Sequence, residues 1–394
     1  MLKRALPITL HCARGCCHNT ALFMSLSRKI RVLHFVNGNL RSGATHVAIH
    51  LVKAALNSAT VAPLLVLRCR RKDNPEQTVA ELEAAGVPVQ IVPRGRLQAV
   101  YALVRICRTF QPDMLLAHGF SDHLWGRYAG LLAEVPHLIQ VEHNTREPYN
   151  AWSRLQSRWL AKHSARIIGV SEGVREVLLK MGMPEQRTMA IPNGIDLTAF
   201  TQAEAHSLAE RIPGIVMTAR LHKQKDHAGL LRAVALLHQR GLTPLVLLVG
   251  SGSASKEDEL KQLSTQLGLH DQIQFLGQRQ DVPELLMTHR ICVLISHWEG
   301  YPLALAEGMA AGCAVVASDI PGMRELITAG ENGLLVPPNN PEALADALEH
   351  LLRDEDFATR LGAAARQTAV MHYGRDLMNA RYEQLFVELA SPTL

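Results

Sequence analysis

Aromatic residues make up only 5% of these 394 residues, and no apolar run approaches the length of a membrane span. A transmembrane helix is therefore not expected. The seven cysteines (Cys12, Cys16, Cys17, Cys69, Cys107, Cys292, Cys313) are scattered, several of them inside expected strands or helices. That distribution excludes a disulfide framework and fits a reducing cytosol. The loop after the first expected strand carries no GxGxxG, so no dinucleotide fingerprint opens the chain. No Asp-x-Asp stands in a strand-end loop; Asp354-Glu355-Asp356 falls between two late helices and reads as a solvated turn. A nucleic-acid partner is not expected either, because no recognition motif or interleaving of basic and aromatic residues is found.

What is present is 47% apolar and 20% charged residues, the profile of a soluble α/β protein long enough for two domains. The net charge of +5 hides a split. Residues 1–197 hold 25 Lys+Arg against 13 Asp+Glu (+12), and residues 198–394 hold 16 against 23 (−7), so the two halves face different partners. Residues 1–28 differ in character from the remainder of the chain: a basic start, an apolar run too short for a signal peptide, and Cys12, Cys16 and Cys17 near His11 and His18 in no zinc spacing. They read as an extension without a fold of its own, and Met24 is an alternative beginning.

From Ile30 the chain alternates strands and helices. Apolar runs at Ile30–Val36, Pro63–Leu67, Val89–Val92, Met114–Ala117, His137–Val141 and Ile167–Val170 have the continuous character of buried parallel strands. A second series begins at Ile215–Thr218 and continues through Leu245–Val249, Gln274–Leu276, Ile291–Ile295 and Ala314–Ala317. Ile191-Pro192-Asn193-Gly194-Ile195-Asp196 is a turn-rich linker between them. His118 and His143 stand at the ends of neighbouring strands, where open parallel sheets bind ligands, although lone histidines are often structural. Arg154, Arg158, Lys162 and Arg166 recur at i+4, which puts them on one helical face, either simply solvated or a patch for anionic lipid or an acceptor phosphate.

The most informative stretch is Ser296–Glu325. After a strand come Glu299, Gly300, Tyr301 and Pro302, then a helix carrying Glu307 and ending at Gly312. The amides of Gly300, Tyr301 and Leu303 at the helix start could meet an anion, with a carboxylate on either side for hydroxyls. A diphosphate flanked by hydroxyl-bearing groups describes a nucleotide sugar. Upstream, after a strand and before a helix, Arg220 can hold a diphosphate by two parallel N–H bonds and Lys225 adds a point charge, although either could instead be an ordinary surface base.

The pattern SxxEGxPLxxxE over Ser296–Glu307 resembles the donor site of retaining glycosyltransferases of family four, which have the GT-B fold. The resemblance spans about residues 30–389 and implies two Rossmann-like domains facing each other across a cleft. It places an N-terminal acceptor domain at 29–197, a C-terminal nucleotide-sugar domain at 198–374, and a crossover helix and tail at 375–394. It also implies roles. Glu307 would hold the ribose, Glu299 the sugar hydroxyls, Arg220 and Lys225 the diphosphate, and His143 would sit beside the donor sugar. His118 joins the donor site by its place at a strand end, although His143 matches the family's histidine better. Gly43 lies in the loop that meets the donor phosphates or the acceptor, although Ser42-Gly43 stands where the family commonly has two glycines. Glu331–Pro338 resembles a hairpin-like element of the family.

The expected function is therefore transfer of a hexosyl or N-acetylhexosaminyl group from a nucleotide sugar to a lipid-linked, lipid or polysaccharide-precursor acceptor, with retention of configuration and no metal cofactor. The alternatives are a nucleotide-sugar epimerase of the same fold and a non-catalytic binding protein. The charge split suggests a cytoplasmic protein, peripheral on the anionic inner face of the plasma membrane.

Overall fold

The computed structural model describes residues 28–391, apart from 41, 70–74 and 205–206. The expected 1–28 extension, with its cysteines and histidines, lies outside the described residues except for Arg28. Two parallel sheets carry the molecule. The first contains β1 (Ile30–Asn37), β2 (Val61–Cys69), β3 (Val89–Pro93), β4 (Met114–His118), β5 (His137–Glu142), β6 (Arg166–Gly169) and β7 (Thr188–Ala190), in the order β3-β2-β1-β4-β5-β6-β7. Its helices are α1 (Gly43–Ala55), α2 (Pro75–Ala84), α3 (Arg96–Phe110), α4 (Asp122–Leu132), α5 (Ala151–Ala161) and α6 (Glu172–Lys180).

The second sheet contains β8 (Ile212–Thr218), β9 (Val246–Val249), β10 (Ile273–Gly277), β11 (His289–Leu294), β12 (Ala314–Ser318) and β13 (Leu334–Val336), in the order β10-β9-β8-β11-β12-β13. Around it lie α7 (His227–Gln239), α8 (Ala254–Gln266), α9 (Val282–Thr288), α10 (Leu303–Ala310), α11 (Pro321–Arg324), α12 (Pro341–Arg353) and α13 (Glu355–His372). The last helix, α14 (Arg375–Ala390), crosses back to the first domain. Helices on both faces explain why the central strands are apolar throughout: every residue of β4, β9 and β12 is buried.

The order of each sheet reverses once, between β1 and β4 in the first and between β8 and β11 in the second. Chains leave these strands in opposite directions, and the crevice that opens at their C-terminal ends is where such sheets hold ligands.

Local chemistry sets the helix starts. The Asn150 side chain accepts from the Ser153 amide at 2.7 Å in a capping box, so α5 begins directly after it. Ser171 caps α6 through the Val174 amide. Two expectations need correction. Arg166 lies on β6 rather than on the helix of Arg154, because α5 ends at Ala161 and the Ala165 amide already bonds Leu138 O at 2.8 Å. Arg166 pairs with Glu388 at 2.7 Å, and Arg158 donates to Met181 O at 2.6 Å, which leaves Arg154 and Lys162 as the exposed bases of the four with no side-chain partner among the described residues. Glu331–Pro338 is no hairpin: Leu334–Val336 adds to β12 in parallel as the edge strand.

The crossing helix is fixed at its start and along its length. Ile195 and Arg375 join the linker to α14 through Ile195 N–Tyr373 O (2.8 Å) and Arg375 N–Ile195 O (2.9 Å), and Arg375 pairs with Asp196 at 3.1 Å. Tyr382 and Phe386 then bury against the face formed by Leu51 and Val61, and Glu383 accepts from Ser58 and Thr60. The Tyr382 hydroxyl is buried there without a partner among the described residues. Tyr382→Phe should therefore cost nothing, or stabilise by about 1 kcal/mol, because it removes an unpaired polar group. Phe386→Ala should cost about 3–5 kcal/mol. Urea unfolding checks both, and a Tyr382→Phe protein less stable than its parent would show that the hydroxyl has a partner.

Candidate functional site

Loops leaving the switch-point strands line one cavity of about 330 Å³, within the range of small-molecule sites. From the first domain come Asn37 and Ser42–Ala44 after β1, Gly119 and Phe120 after β4, and His143, Asn144 and Glu147 after β5. Arg220 and Gln224 enter from the loop after β8, and Glu299, Gly300, Tyr301 and Leu303 from the segment after β11. Asn193 reaches in from the linker. Of the ten residues picked out by sequence, the structure brings seven to this wall: Gly43, His143, Arg220, Glu299, Gly300, Tyr301 and Leu303. His118, Lys225 and Glu307 stand behind it.

On the C-terminal side the Arg220 guanidinium is exposed and makes no ion pair among the described residues. Lys225 is instead paired with Glu299, both side chains being largely buried. Gln224 steadies the same carboxylate, with its amide at 2.7 Å from Trp298 O and 3.3 Å from Glu299 Oε2. The sequence alone assigns Lys225 and Glu299 to different parts of a ligand, whereas in the structure they are partners. At the start of α10 the Gly300 and Tyr301 amides bond nothing among the described residues, but the Leu303 amide turns back to Tyr301 O at 3.0 Å. Pro302 stands at the cap rather than inside the helix. The carboxyl of Glu307, one turn beyond Leu303 on the same face, has no hydrogen-bond partner among the described residues. Burial pushes its carboxyl up to about 7 against a smaller downward pull from Arg375.

The first-domain side is built on buried polar chains. Gly43 opens α1 with free space around its Cα. His118 is fully buried beneath His143, with the rings joined Nδ1 to Nε2 at 3.3 Å, so it does not reach the cavity. A second chain supports the loop after β5. Arg127, fully buried, donates to His123 Nδ1 at 2.7 Å; His123 Nε2 then donates to Tyr149 Oη at 2.6 Å, and Tyr149 donates to Glu142 at 2.8 Å. Each donor fixes the direction of the next, so the polarity of Arg127 arrives at Glu142, which also accepts from the His143 amide. Burial raises the Glu142 and Glu147 carboxyls, and the Glu142 charge pushes Glu147 further.

The halves touch across the cleft. A Cβ on Gly300 would lie 2.0 Å from His143 O, so only glycine allows this approach. Thr145 donates to Glu299 O at 2.8 Å, and Arg146 lies over the Trp298 ring at 5.0 Å. On the flank, Glu325 accepts from the Glu172 and Gly173 amides at the start of α6, a carboxylate on a helix N-terminus of the other domain.

Gln224, Asn193, Phe120 and Glu147 are among the nine lining residues that sequence reasoning did not pick out. Gln224 lay between two flagged bases and Asn193 in a segment read only as linker. Phe120 and Glu147 follow the two histidine strands without a motif. Among the described residues the Asn193 Oδ1 is buried without a donor and Glu147 makes no ion pair, which makes both ready partners for ligand hydroxyls.

Comparison with known proteins agrees with this arrangement. Residues 41–199 match the family model "Glycosyltransferase Family 4" and residues 200–368 match "Glycosyl transferases group 1". This chain belongs to the family-four, GT-B glycosyltransferases. An exopolysaccharide phosphotransferase of Streptomyces coelicolor is 36% identical over 217 residues, 54% of this chain but only 22% of that longer protein. The UDP-Gal:α-D-GlcNAc-diphosphoundecaprenol α-1,3-galactosyltransferase of Escherichia coli is 26% identical over 66% of this chain and 71% of its own. Among solved structures, HepE of Anabaena in complex with UDP-glucose superposes with a TM-score of 0.79 at 22% identity, covering 91% of this chain and all of that one. At that identity it shows a shared GT-B fold.

Glu307 gives this glycosyltransferase a pH signature. Its carboxyl ionises near 4.5 when unfolded and only near 7 when folded, so ionisation favours the unfolded chain progressively across that window. Glu307→Gln removes the penalty. The variant's Tm should exceed the parent's by nothing at pH 4, by an amount growing up to pH 7, and by a constant amount above. A Tm difference independent of pH would mean that Glu307 is solvated or paired.

Proposed function

We propose that the protein transfers a hexosyl or N-acetylhexosaminyl group from a nucleotide sugar to a lipid-linked, lipid or polysaccharide-precursor acceptor, with retention of configuration. The carrying observation is the cavity shared by Arg220 and Glu299 of one domain and His143 of the other. The unpaired Arg220 receives the diphosphate. Glu299, held by Lys225 and Gln224, accepts from the sugar hydroxyls, and Glu307 holds the ribose one turn further along α10. The leaving diphosphate is stabilised by Arg220 and the Gly300 and Tyr301 amides, with the Lys225 charge acting from behind Glu299, and these groups take the place of a metal ion. Acceptors enter from the N-terminal domain, past Phe120, Glu147 and Asn193.

The acceptor side also carries a surface suited to a bilayer. Trp152, Leu155 and Trp159 share one face of α5 and are 65%, 58% and 48% exposed, beside the exposed bases Arg154 and Lys162. The ridge continues through Tyr128, whose ring lies 6.1 Å from Trp159, to Trp125 under Arg96. Aromatic rings with flanking bases favour the interface of an anionic membrane. No helix among the described residues is long and apolar enough to cross a membrane. On this reading the protein works at the cytoplasmic face, peripheral on anionic lipid. The four-base patch read from the sequence is replaced in this role by the α5 ridge.

Two measurements test the reading. Titration with UDP and a panel of nucleotide sugars should show binding that Arg220→Ala weakens by about 1.5–3 kcal/mol. Glu307→Gln should weaken UDP itself, whereas Glu299→Gln should spare UDP and lower turnover, and chelator should leave transfer intact. No stabilisation by any nucleotide sugar would overturn the transferase reading. Separately, co-sedimentation with phosphatidylglycerol vesicles should fall with salt and with Trp152→Ser/Trp159→Ser. Binding unaffected by that pair would remove the membrane role from α5 and leave the transferase standing.

A further inference from the structure

Three histidines on adjacent strands form a continuous line into the cavity. His34 belongs to β1, His118 ends β4 and His143 follows β5. His34 Nδ1 lies 3.2 Å from His118 Nε2, and His118 Nδ1 lies 3.3 Å from His143 Nε2. The ring centroids are 5.4 and 5.5 Å apart with planes inclined by 22° and 30°. Those separations exceed the N···N distances by about one ring's width. The rings therefore meet edge to edge and nearly coplanar, as N–H···N hydrogen bonds require, not face to face. His34 and His118 are almost wholly buried, and His143 opens an edge on the cleft.

Desolvation keeps all three neutral. His34 and His143 are pushed down to about 3, and His118 is lowered further below its ordinary value by burial and by its two neighbours. A neutral imidazole has one N–H and one bare nitrogen. His118 must then donate to one neighbour and accept from the other. If its proton is on Nδ1, it donates to His143 Nε2 and accepts from His34 Nδ1, so all three rings carry the proton on Nδ1. If its proton is on Nε2, the same reasoning puts every proton on Nε2. Any mixed arrangement sets two N–H groups or two lone pairs against each other inside the protein, at the cost of a buried unsatisfied pair.

We propose that the three rings hold a single shared tautomer, and that His34 and His118 are positioning residues which decide whether His143 offers the cavity an N–H or a bare nitrogen at Nδ1. No proton is gained or lost by the protein in this arrangement. His143 meets the ligand as a neutral hydrogen-bonding group of fixed sense, because the nitrogen left over is dictated by the bond the other one makes. This function rests on the transferase reading only where turnover is concerned.

The test uses the full chain labelled with 15N-histidine. Long-range 1H–15N spectra should show His34, His118 and His143 in the same tautomer, with none titrating between pH 6 and 8. Two different tautomers among the three, or an imidazolium at pH 7, would overturn the proposal whether or not any sugar is transferred. In the kinetic arm, His118→Gln should lower kcat by about tenfold, the equivalent of one hydrogen bond, with UDP affinity unchanged. His34→Gln should lower kcat similarly, yet add nothing in the His118→Gln background, because His34 reaches the cavity only through His118. Additive losses would show that His34 acts by general destabilisation. If the His34 variant does not fold, the wild-type spectra still decide.

Discussion

The carbonyl of His143 lies against the Cα of Gly300, and the rest of the site depends on that contact. It brings the end of β5 to the segment after β11 with no side chain between them. Thr145 can then reach Glu299 O, and Arg146 can lie on Trp298. A methyl group at position 300 would separate the domains by more than a hydrogen bond tolerates. The glycine was legible as part of a motif, and its amide was expected to serve a ligand. The structure adds a reason that concerns the other domain.

The site keeps charges in places that folding alone would not favour. Lys225 and Glu299 are largely buried as a pair, the Glu307 carboxyl is half-buried without a hydrogen-bond partner among the described residues, and Arg127 is enclosed and linked to the Glu142 carboxylate only through His123 and Tyr149. Removing two ions from water is offset only by close pairing and added hydrogen bonds, which Gln224 supplies at Glu299 and the serines of α5 and its following turn supply at Arg127. Such groups are retained where preformed polarity is useful. The cavity offers a bound nucleotide sugar fixed donors and acceptors with little rearrangement.

The architecture was legible because parallel strands covered on both faces become unbroken apolar runs. Met114–Ala117 and Ala314–Ala317 could be read directly from composition. Local spacing failed where tertiary packing overrides it. Arg166 keeps the i+4 rhythm of Arg154 and Arg158, but the chain has already left the helix to join a strand. Glu331–Pro338 resembles a hairpin-like element of the family and yet completes a parallel edge. The site divided in the same way. Residues within one contiguous motif, Glu299 to Leu303, arrived together, whereas Glu147, Phe120 and the His34–His118 line depend on which strands are neighbours, and that order is not written locally.

The crossing of α14 has a consequence for how the chain is made. Tyr382 and Phe386 complete a face of the first domain next to Leu51 and Val61, more than three hundred residues earlier in synthesis. While the second domain is being translated, that face has no cover, and an apolar strip on a nascent domain is where premature association begins. The first domain can assemble its sheet early, but it reaches its finished surface only after the last helix has left the ribosome. Emergence of α14, rather than completion of either sheet, is thus the event that covers this face.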